Sequence, residues 1–222
     1  MRQFDDLTYV HSVNVALIAS ILGQWLKFSE KDIRILTISG LLHDIGKIMI
    51  PNEILTKPGK LTVAEYNIMK QHVNFGYEKV KNQNIDIRIK EACLLHHEKC
   101  DGTGYPFGLK SDHIPAVAKI IAIADVYDAM TSPRVYRGPT CPFDVINLFE
   151  QEGFQKYDSR YIMIFLRRIA ESYLNENVRL SDGRSGKLIY INNHALSRPV
   201  VMADGEAIDL RKERYLRIEE IM

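Results

Sequence analysis

Apolar residues recur at the spacing of an α-helix from the start of the chain. In the first segment they stand three or four positions apart, at Val10, Val13, Leu17, Ile21 and Trp25. This periodicity predicts a helix over residues 9–27 with one apolar face. Ser29 followed by Asp32 is typical of a helix N-cap, and it predicts a second helix through DIRILTISGLLHDIG.

Further helices are predicted downstream, joined by short connections. Thr62 with Glu65 forms a capping-box pattern for a helix that contains His72. The remaining predicted helices lie near 86–97, from Pro115 through AVAKIIAIADVYDAM, near 142–152, and from Asp158 to about 174. The sequence therefore predicts a mainly α body.

The pattern changes after about residue 176. Short runs rich in β-branched residues (VRL, KLIYIN, PVVMA, EAIDL and YLRIEEIM) alternate with turn-forming stretches such as SDGRSG and ADG. These are strand and turn signals at near-regular spacing. We expect a helical domain over 1–175 and, over 176–222, a small antiparallel sheet or barrel docked on the helices.

Composition narrows the class of protein. The 222 residues include 29 Lys and Arg against 28 Asp and Glu, a net charge of +1, which argues against a binder of nucleic acid polymers. Three cysteines without CxxC spacing favour a reducing, cytoplasmic setting over a disulfide framework. The chain has neither an apolar run of about 20 residues nor a signal-peptide core, so we expect no membrane insertion. A homodimer and an upstream regulatory domain are both compatible with the sequence.

Histidines and carboxylates supply the candidate chemistry. Five of the seven histidines stand on or at the ends of separate predicted helices: His11, His43, His72, His96 and His97. Each alone is more often a packed or surface residue, but Asp44 follows His43 directly and Asp125 interrupts an apolar run. An unpaired buried carboxylate would be costly. Because helical bundles build metal sites from inward side chains on facing helices, the pattern predicts a shared cation site.

Five imidazoles and two carboxylates exceed the needs of one ion. Nitrogen and oxygen donors without thiolates favour iron, manganese or zinc over calcium. Two divalent ions bridged by a carboxylate and a hydroxide are a standard device for hydrolysing phosphate esters. The sequence therefore predicts two ions per chain and phosphoester chemistry, with the adjacent His96 and His97 approaching the ions from different angles.

Basic and aromatic residues near these positions suit a phosphate-containing substrate. Lys47 lies one turn after His43 and Asp44, and Arg134 and Arg137 follow Asp125 in TSPRVYRG. Lysine suits a point charge and arginine suits bidentate phosphate binding. The loop DGTGYP adds glycines that permit close approach of a ligand, with a ring and a stiff turn at Tyr105 and Pro106. The alternatives are a surface lysine, helix-end arginines and an ordinary loop.

In order and spacing, five elements of the sequence resemble the HD-GYP family of HD-domain metal-dependent phosphohydrolases: His11, HD at 43–44, His72, HHEKCDGTGYP at 96–106 and IADVYDAMTS at 123–132. The resemblance covers roughly residues 5–170. It implies an HD-domain helical bundle that hydrolyses cyclic di-GMP to pGpG, often continuing to GMP, by in-line attack of a metal-bridging hydroxide.

The resemblance also implies roles for individual residues. It places His11, His43, Asp44 and Asp125 around one ion and His72, His96 and His97 around a second, with Asp44 as the bridge. Asp44 and Lys47 would be catalytic, and the substrate would contact Lys47, Gly104, Tyr105, Pro106, Arg134 and Arg137. Glu98 and Asp101 look like groups that hold the loop or the ligands.

The sequence departs from the family pattern at two places. Leu7 stands where some members carry a glutamate ligand for a third ion, so we expect two ions and not three. Pro133 and Val135 alter the segment that carries the two arginines.

Three alternatives to this function remain: a catalytically weak cyclic di-GMP sensor, an HD hydrolase of another cyclic or guanosine nucleotide, and a fold in which the histidines are only core residues.

Overall fold

The computed structural model describes residues 2–132, 138 and 140–222, with side chains from Thr8 onward. The helical part runs to residue 172. Its α-helices are α1 (Arg2–Trp25), α2 (Glu30–Leu42), α3 (Asn52–Leu55), α4 (Val63–Met69), α5 (His72–Val80), α6 (Ile87–Leu95), α7 (Ala116–Thr131), α8 (Pro142–Leu148), α9 (Phe154–Lys156) and α10 (Ser159–Ser172). The mainly α fold predicted from the sequence is confirmed.

Helix α7 is the central helix of this part, since residues 117–125 are all buried. It packs against α1, α2 and α6, which carry or precede five of the predicted ligands. Helices α1 and α2 approach closely at Ala16 and Gly40, where a Cβ added to Gly40 would lie 2.5 Å from the Ala16 Cα. This close crossing brings His11 on α1 towards His43 at the end of α2.

Beside the candidate ligands, three helix ends differ from the sequence prediction. The capping box of Thr62 and Glu65 is present, but its helix ends at Met69 and His72 begins α5. The helix predicted through HDIG ends at Leu42, and a 3₁₀ turn follows at Ile45–Met49. Helix α6 ends at Leu95, so His96 and His97 lie just beyond it.

At all three breaks a histidine ring bonds back to a helix carbonyl oxygen. The ring Nδ1 atoms of His43, His72 and His96 bond to the carbonyl oxygens of Gly40, Met69 and Ala92, at 2.7, 2.8 and 3.0 Å. Carbonyl groups in the last turn of a helix lack partners within that helix. A histidine that satisfies one of them is therefore held at the helix end, where its Nε2 atom is free for other partners.

The C-terminal part is a five-stranded antiparallel sheet, which confirms the predicted fold of this segment. The strands are β1 (Asn177–Leu180), β2 (Ser185–Asn192), β3 (Ala195–Ala203), β4 (Glu206–Asp209) and β5 (Ile218–Ile221). Their order is β4-β3-β2-β1-β5. The sheet lies on the helices through contacts of β3 with α8 and α10. Buried residues from both parts form one continuous hydrophobic cluster that includes Phe149, Phe165, Leu188 and Val201.

A carboxylate fixes the sheet to the helices. Glu150 lies in a π-helical segment, Phe149–Gly153, between α8 and α9. Its two oxygens accept the backbone N–H groups of Leu196, at 2.6 Å, and Ser197, at 3.3 Å.

Among the helices within the described residues, none is both long and apolar enough to cross a membrane.

Candidate metal centre

All seven predicted metal ligands meet in two adjoining groups. One group consists of Asp44, His72, His96 and His97, and the other of His11, His43 and Asp125. Within each group the candidate ligand atoms lie within 4.8 Å of one another. Five of the seven residues are buried, and His11 and His97 are partly exposed.

Asp44 stands between the two groups, and its two oxygens face different imidazoles. Oδ2 lies 3.3 Å from the Nε2 atom of His43 and 3.7 Å from that of His11. Oδ1 lies 3.3 Å from the Nε2 atom of His72 and 3.8 Å from that of His96. A carboxylate with this arrangement can bind one cation on each side.

The 3₁₀ turn that follows Asp44 is packed tightly on α5. A Cβ added to Gly46 would lie 1.9 Å from the carbonyl oxygen of His72 and 2.4 Å from the backbone nitrogen of Gly76. Only glycine permits this approach. The contact sets the separation between Asp44 and His72, so Gly46 positions the centre although it has no ligand atom.

Burial keeps several imidazoles in the form that binds metals. It lowers the pKa of His72 and His96, and it lowers the pKa of His97 to about 3. These rings are therefore neutral near pH 7, as a metal ligand must be. In His72 and His96, Nδ1–H donates to a backbone carbonyl, which leaves the Nε2 lone pair directed into the centre.

The two carboxylates are ionised. Burial alone would raise the pKa of Asp44, but the charges of Lys47 and His43 outweigh it and hold that pKa well below its usual range. Burial is likewise outweighed at Asp125, where the hydrogen bond from His11 lowers the pKa. Lys47 forms an ion pair with Asp44 Oδ2 and is partly exposed. The predicted placement of Lys47 beside the ligands is therefore seen in the structure.

Two buried polar atoms within the centre have no hydrogen-bond partner among the described residues: the Nε2 atom of His43 and the Oδ1 atom of Asp44. Buried polar groups are normally satisfied, so such atoms need an explanation. A cation bound by the two groups would satisfy both. The donor set, five imidazoles and two carboxylates, suits borderline metals such as iron, manganese or zinc.

His11 is fixed by a network that the sequence prediction missed. Its Nδ1–H donates to Asp128 Oδ2 at 2.6 Å, and its Nε2 lies 3.1 Å from Asp125 Oδ1. Asn14 and Ser132 both donate to the other oxygen of Asp128, at 2.8 and 2.6 Å. Burial would lower the pKa of His11, but the bonds to Asp125 and Asp128 outweigh it and raise that pKa to about 9. A second acid one turn after Asp125 was the available sequence signal.

The loop after His97 folds back over the centre. The ring of Tyr105 stacks on the ring of His97, with centroids 4.7 Å apart and planes at 30°. Glu98 holds the loop by accepting the backbone N–H groups of Phe107 and Leu109, at 2.7 and 2.8 Å. Asp101 accepts two hydrogen bonds from Thr103. The loop-holding role expected for these two acids agrees with these contacts.

Gly104 has a structural requirement of its own. A Cβ at this position would lie 2.4–2.5 Å from backbone atoms of residues 97–99. The glycine thus lets the loop pack on the chain segment that carries His97, which places Tyr105 on the histidine ring. Pro106 follows Tyr105 through a cis peptide bond and is partly buried.

Some predicted residues lie outside the described part of the chain. Arg134 and Arg137 fall within residues 133–137, as do Pro133 and Val135. The side chain of Leu7 is also outside it. The predictions made for these residues stay predictions.

Comparison with known proteins places the chain in a family. Residues 5–161 match the family model described as the HD domain. The chain is 34% identical over 203 residues to the cyclic di-GMP phosphodiesterase PA4108 of Pseudomonas aeruginosa, covering 90% of this chain and 49% of that protein. It is 36% identical over 172 residues to the 3'3'-cGAMP-specific phosphodiesterase 1 of Vibrio cholerae, covering 76% and 39%. The chain spans half or less of the length of these relatives.

A solved structure with the same fold is Bd1817 of Bdellovibrio bacteriovorus, described as an HDG"Y"P protein. It superposes with a TM-score of 0.61 at 21% identity, over 72% of this chain and 52% of that one.

Because the HD domain model matches residues 5–161, the chain belongs to the HD domain family of metal-dependent phosphohydrolases. Within that family it is a member of the HD-GYP branch, as its HHEKCDGTGYP and HD motifs indicate.

Proposed function

We propose that this chain is a phosphodiesterase that hydrolyses cyclic di-GMP to pGpG, GMP or both with the help of two divalent metal ions. The observation that carries the proposal is the position of Asp44 between two adjoining groups of imidazoles. Its Oδ1 and Oδ2 atoms face different histidines at 3.3–3.8 Å. Relatives named as cyclic dinucleotide phosphodiesterases support the choice of substrate.

The proposed ligands divide as the two groups do. His11, His43 and Asp125 would hold one ion, His72, His96 and His97 the other, and Asp44 both. Iron or manganese suits this set best, with zinc as a third choice. When bound, two such ions lower the pKa of a water molecule and neutralise the charge of a phosphodiester.

The chain's own residues would orient and bind the substrate. Lys47, partly exposed beside Asp44, carries a positive charge at the edge of the centre and would stabilise a phosphate oxygen that becomes anionic. Tyr105 offers one face of its ring to a base, while its other face lies on His97. Gly104 and Pro106 fix the position of that ring, and Arg134 and Arg137 would bind phosphate or guanine edges.

A second candidate substrate is another cyclic dinucleotide, because the relative from Vibrio cholerae is named for 3'3'-cGAMP. A cyclic di-GMP sensor without turnover is less well supported. A sensor does not need seven donor groups converging on a buried centre.

The test is metal content and turnover measured on one anaerobically prepared sample. We expect about two ions per chain after loading with iron or manganese. Chromatography should show cyclic di-GMP converted to pGpG or GMP, faster than cyclic di-AMP or 3'3'-cGAMP. Saturable binding without product would favour the sensor, and faster turnover of 3'3'-cGAMP would favour the second candidate. A folded protein that retains no metal would contradict both enzymatic proposals.

A further inference from the structure

Beside the metal centre, helix α4 and the residue that follows it present an aromatic ring and a positive charge to the loop residue Tyr105. The rings of Tyr66 and Tyr105 are 6.5 Å apart between centroids and nearly perpendicular, at 81°. The Nζ atom of Lys70 lies 5.3 Å from the centroid of Tyr66 and 5.9 Å from that of Tyr105. Both distances are within the range of a cation–π contact.

This cluster is continuous with the centre. Tyr105 stacks on His97 and lies 6.4 Å from the ring of His72. Helix α4 ends at Met69, whose carbonyl oxygen bonds to the Nδ1 atom of His72. The rings of His97, Tyr105 and Tyr66 therefore form a path that leads outward from the candidate ligands to the surface.

The outer end of this path is open to a ligand. Tyr66 is 48% exposed although its ring is held by two neighbours. Within the described part of the chain, no carboxylate lies within ion-pair distance of Lys70, whereas nearby Lys57 is paired with Glu65 at 2.6 Å. An exposed ring beside a cation without a carboxylate partner matches the two parts of a nucleotide, a flat base and an anionic phosphate.

We propose that Tyr66 and Lys70, together with Tyr105, form a subsite for one purine nucleotide unit of the substrate. The purine stacks on Tyr66 in the angle between the two tyrosine rings, and the Lys70 ammonium faces a phosphate oxygen. This inference rests on the proposed function, because it assigns one nucleotide of the cyclic dinucleotide to this surface. It makes helix α4 a determinant of substrate affinity although α4 contributes no metal ligand.

The test compares two substrates across three variants: Tyr66→Ala, Tyr66→Phe and Lys70→Gln. Methyl p-nitrophenyl phosphate is a phosphodiester without a purine, and it reports on the metal centre alone. Loss of base stacking in Tyr66→Ala should raise KM for cyclic di-GMP by roughly 5- to 150-fold. This rise in KM should exceed any rise in KM that Tyr66→Ala causes for methyl p-nitrophenyl phosphate. Tyr66→Phe retains the ring and should restore most of the affinity.

Lys70→Gln should raise KM for cyclic di-GMP by about two- to fivefold, and less at high ionic strength. Tyr190→Ala is the matched control, because Tyr190 lies on β2 and is 54% exposed. If Tyr66→Ala raised KM by the same factor for both substrates, the proposed subsite would be wrong. An unchanged KM for cyclic di-GMP in this variant would also contradict it.

A binding measurement separates this proposal from the proposed function. The dissociation constant of pGpG, measured by equilibrium dialysis on metal-loaded protein, needs no turnover. If cyclic di-GMP is not hydrolysed, the proposed function fails, while weaker pGpG binding in Tyr66→Ala than in Tyr190→Ala still supports the purine subsite. Equal pGpG affinity in all variants and the parent protein would overturn it.

Discussion

Asp44 differs from the other carboxylate of the centre because two imidazole nitrogens approach each of its oxygens, at 3.3–3.8 Å. Asp125 instead meets His11 through one oxygen, at 3.1 Å, and His97 through the other only at 3.8 Å. Removing a carboxylate that both metal sites share should weaken metal binding at both sites. Removing a ligand that belongs to one site should weaken metal binding mainly at that site.

We therefore expect different metal losses from two substitutions. Asp44→Ala should lose nearly all bound metal and all phosphodiesterase activity, since each ion loses its shared ligand. His72→Ala should retain about one of the roughly two ions that each chain of the parent protein binds. Elemental analysis of gel-filtered protein, with circular dichroism to verify folding, makes the comparison. Full metal content in Asp44→Ala would show that this residue is not the bridge.

Asp128 acts on the centre through His11. Its carboxylate accepts the Nδ1–H of His11 and so fixes the orientation of the ring, and Asn14 and Ser132 hold the carboxylate in turn. Partners of this kind typically account for about 10- to 100-fold in metal affinity. Asp128→Ala should therefore weaken metal binding by about that factor. Asp128→Asn should weaken it less, because an amide oxygen can still accept from Nδ1–H.

Competition with a chelator measures this affinity directly, and Asp112→Ala serves as the control at an exposed acid. Unchanged metal affinity in Asp128→Ala, with a normal melting temperature, would contradict the positioning role. An equal effect in Asp112→Ala would mean that the change is not specific to the contact with His11.

The candidate ligands could be picked out in the sequence because histidine and aspartate stand out at the ends or within the apolar faces of helices, and the structure brings them together. Asp128 could not be separated from an ordinary helical acid in the same way. Its role depends on a bond across 117 positions of the chain, which no local pattern encodes. The same holds for Asn14, whose partner Asp128 is 114 positions away.

At the scale of the elements, helix types were predictable and several helix ends were not. Periodicity located the helices that carry His11 and Asp125, and the capping box at Thr62 located the start of α4. After Leu42, Met69 and Leu95, histidine rings bond back to helix carbonyls at the point where each helix ends. A propensity pattern treats those histidines as ordinary helical residues, so it extends the helices too far.

The contact between the 3₁₀ turn and α5 supplies a prediction at this scale. In Gly46→Ala, the new methyl group would overlap the backbone of His72 and Gly76, which cannot rotate away as a side chain would. The turn must shift, at a cost of about 1–3 kcal/mol in the free energy of unfolding. Because Asp44 shifts with the turn, metal affinity should fall as well.

Thermal unfolding and chelator competition measure the two effects of Gly46→Ala. Gly138→Ala is the control for stability, because within the described residues, its chain neighbours aside, no atom lies within 4 Å of a Cβ added there. A Gly46→Ala protein with unchanged melting temperature and metal affinity would show that the close approach is not needed.

At the scale of the whole molecule, the sheet and the helices share one hydrophobic cluster, but the candidate metal ligands lie only in the helical part among the described residues. The seven candidate ligands all precede residue 130, and the sheet docks through α8, α10 and Glu150. We propose that residues 176–222 form a unit that is dispensable for metal binding. Because truncation would expose the shared cluster, a single substitution at the docking contact is the cleaner test.

Glu150→Ala removes the carboxylate that accepts the backbone N–H groups of Leu196 and Ser197, both buried on β3. Leaving these donors without a partner should lower the free energy of unfolding by about 1–3 kcal/mol. Metal content and turnover per folded chain should not change, because the hydrogen bonds of Glu150 within the described residues go to the sheet and not to the centre. The matched control is Glu152→Ala in the same segment, which removes an exposed ion pair with Lys156, a contact worth little. Loss of metal from a folded Glu150→Ala protein would contradict the independence of the two parts. It would mean that the sheet holds α8 and α7 in the geometry that the ligands require.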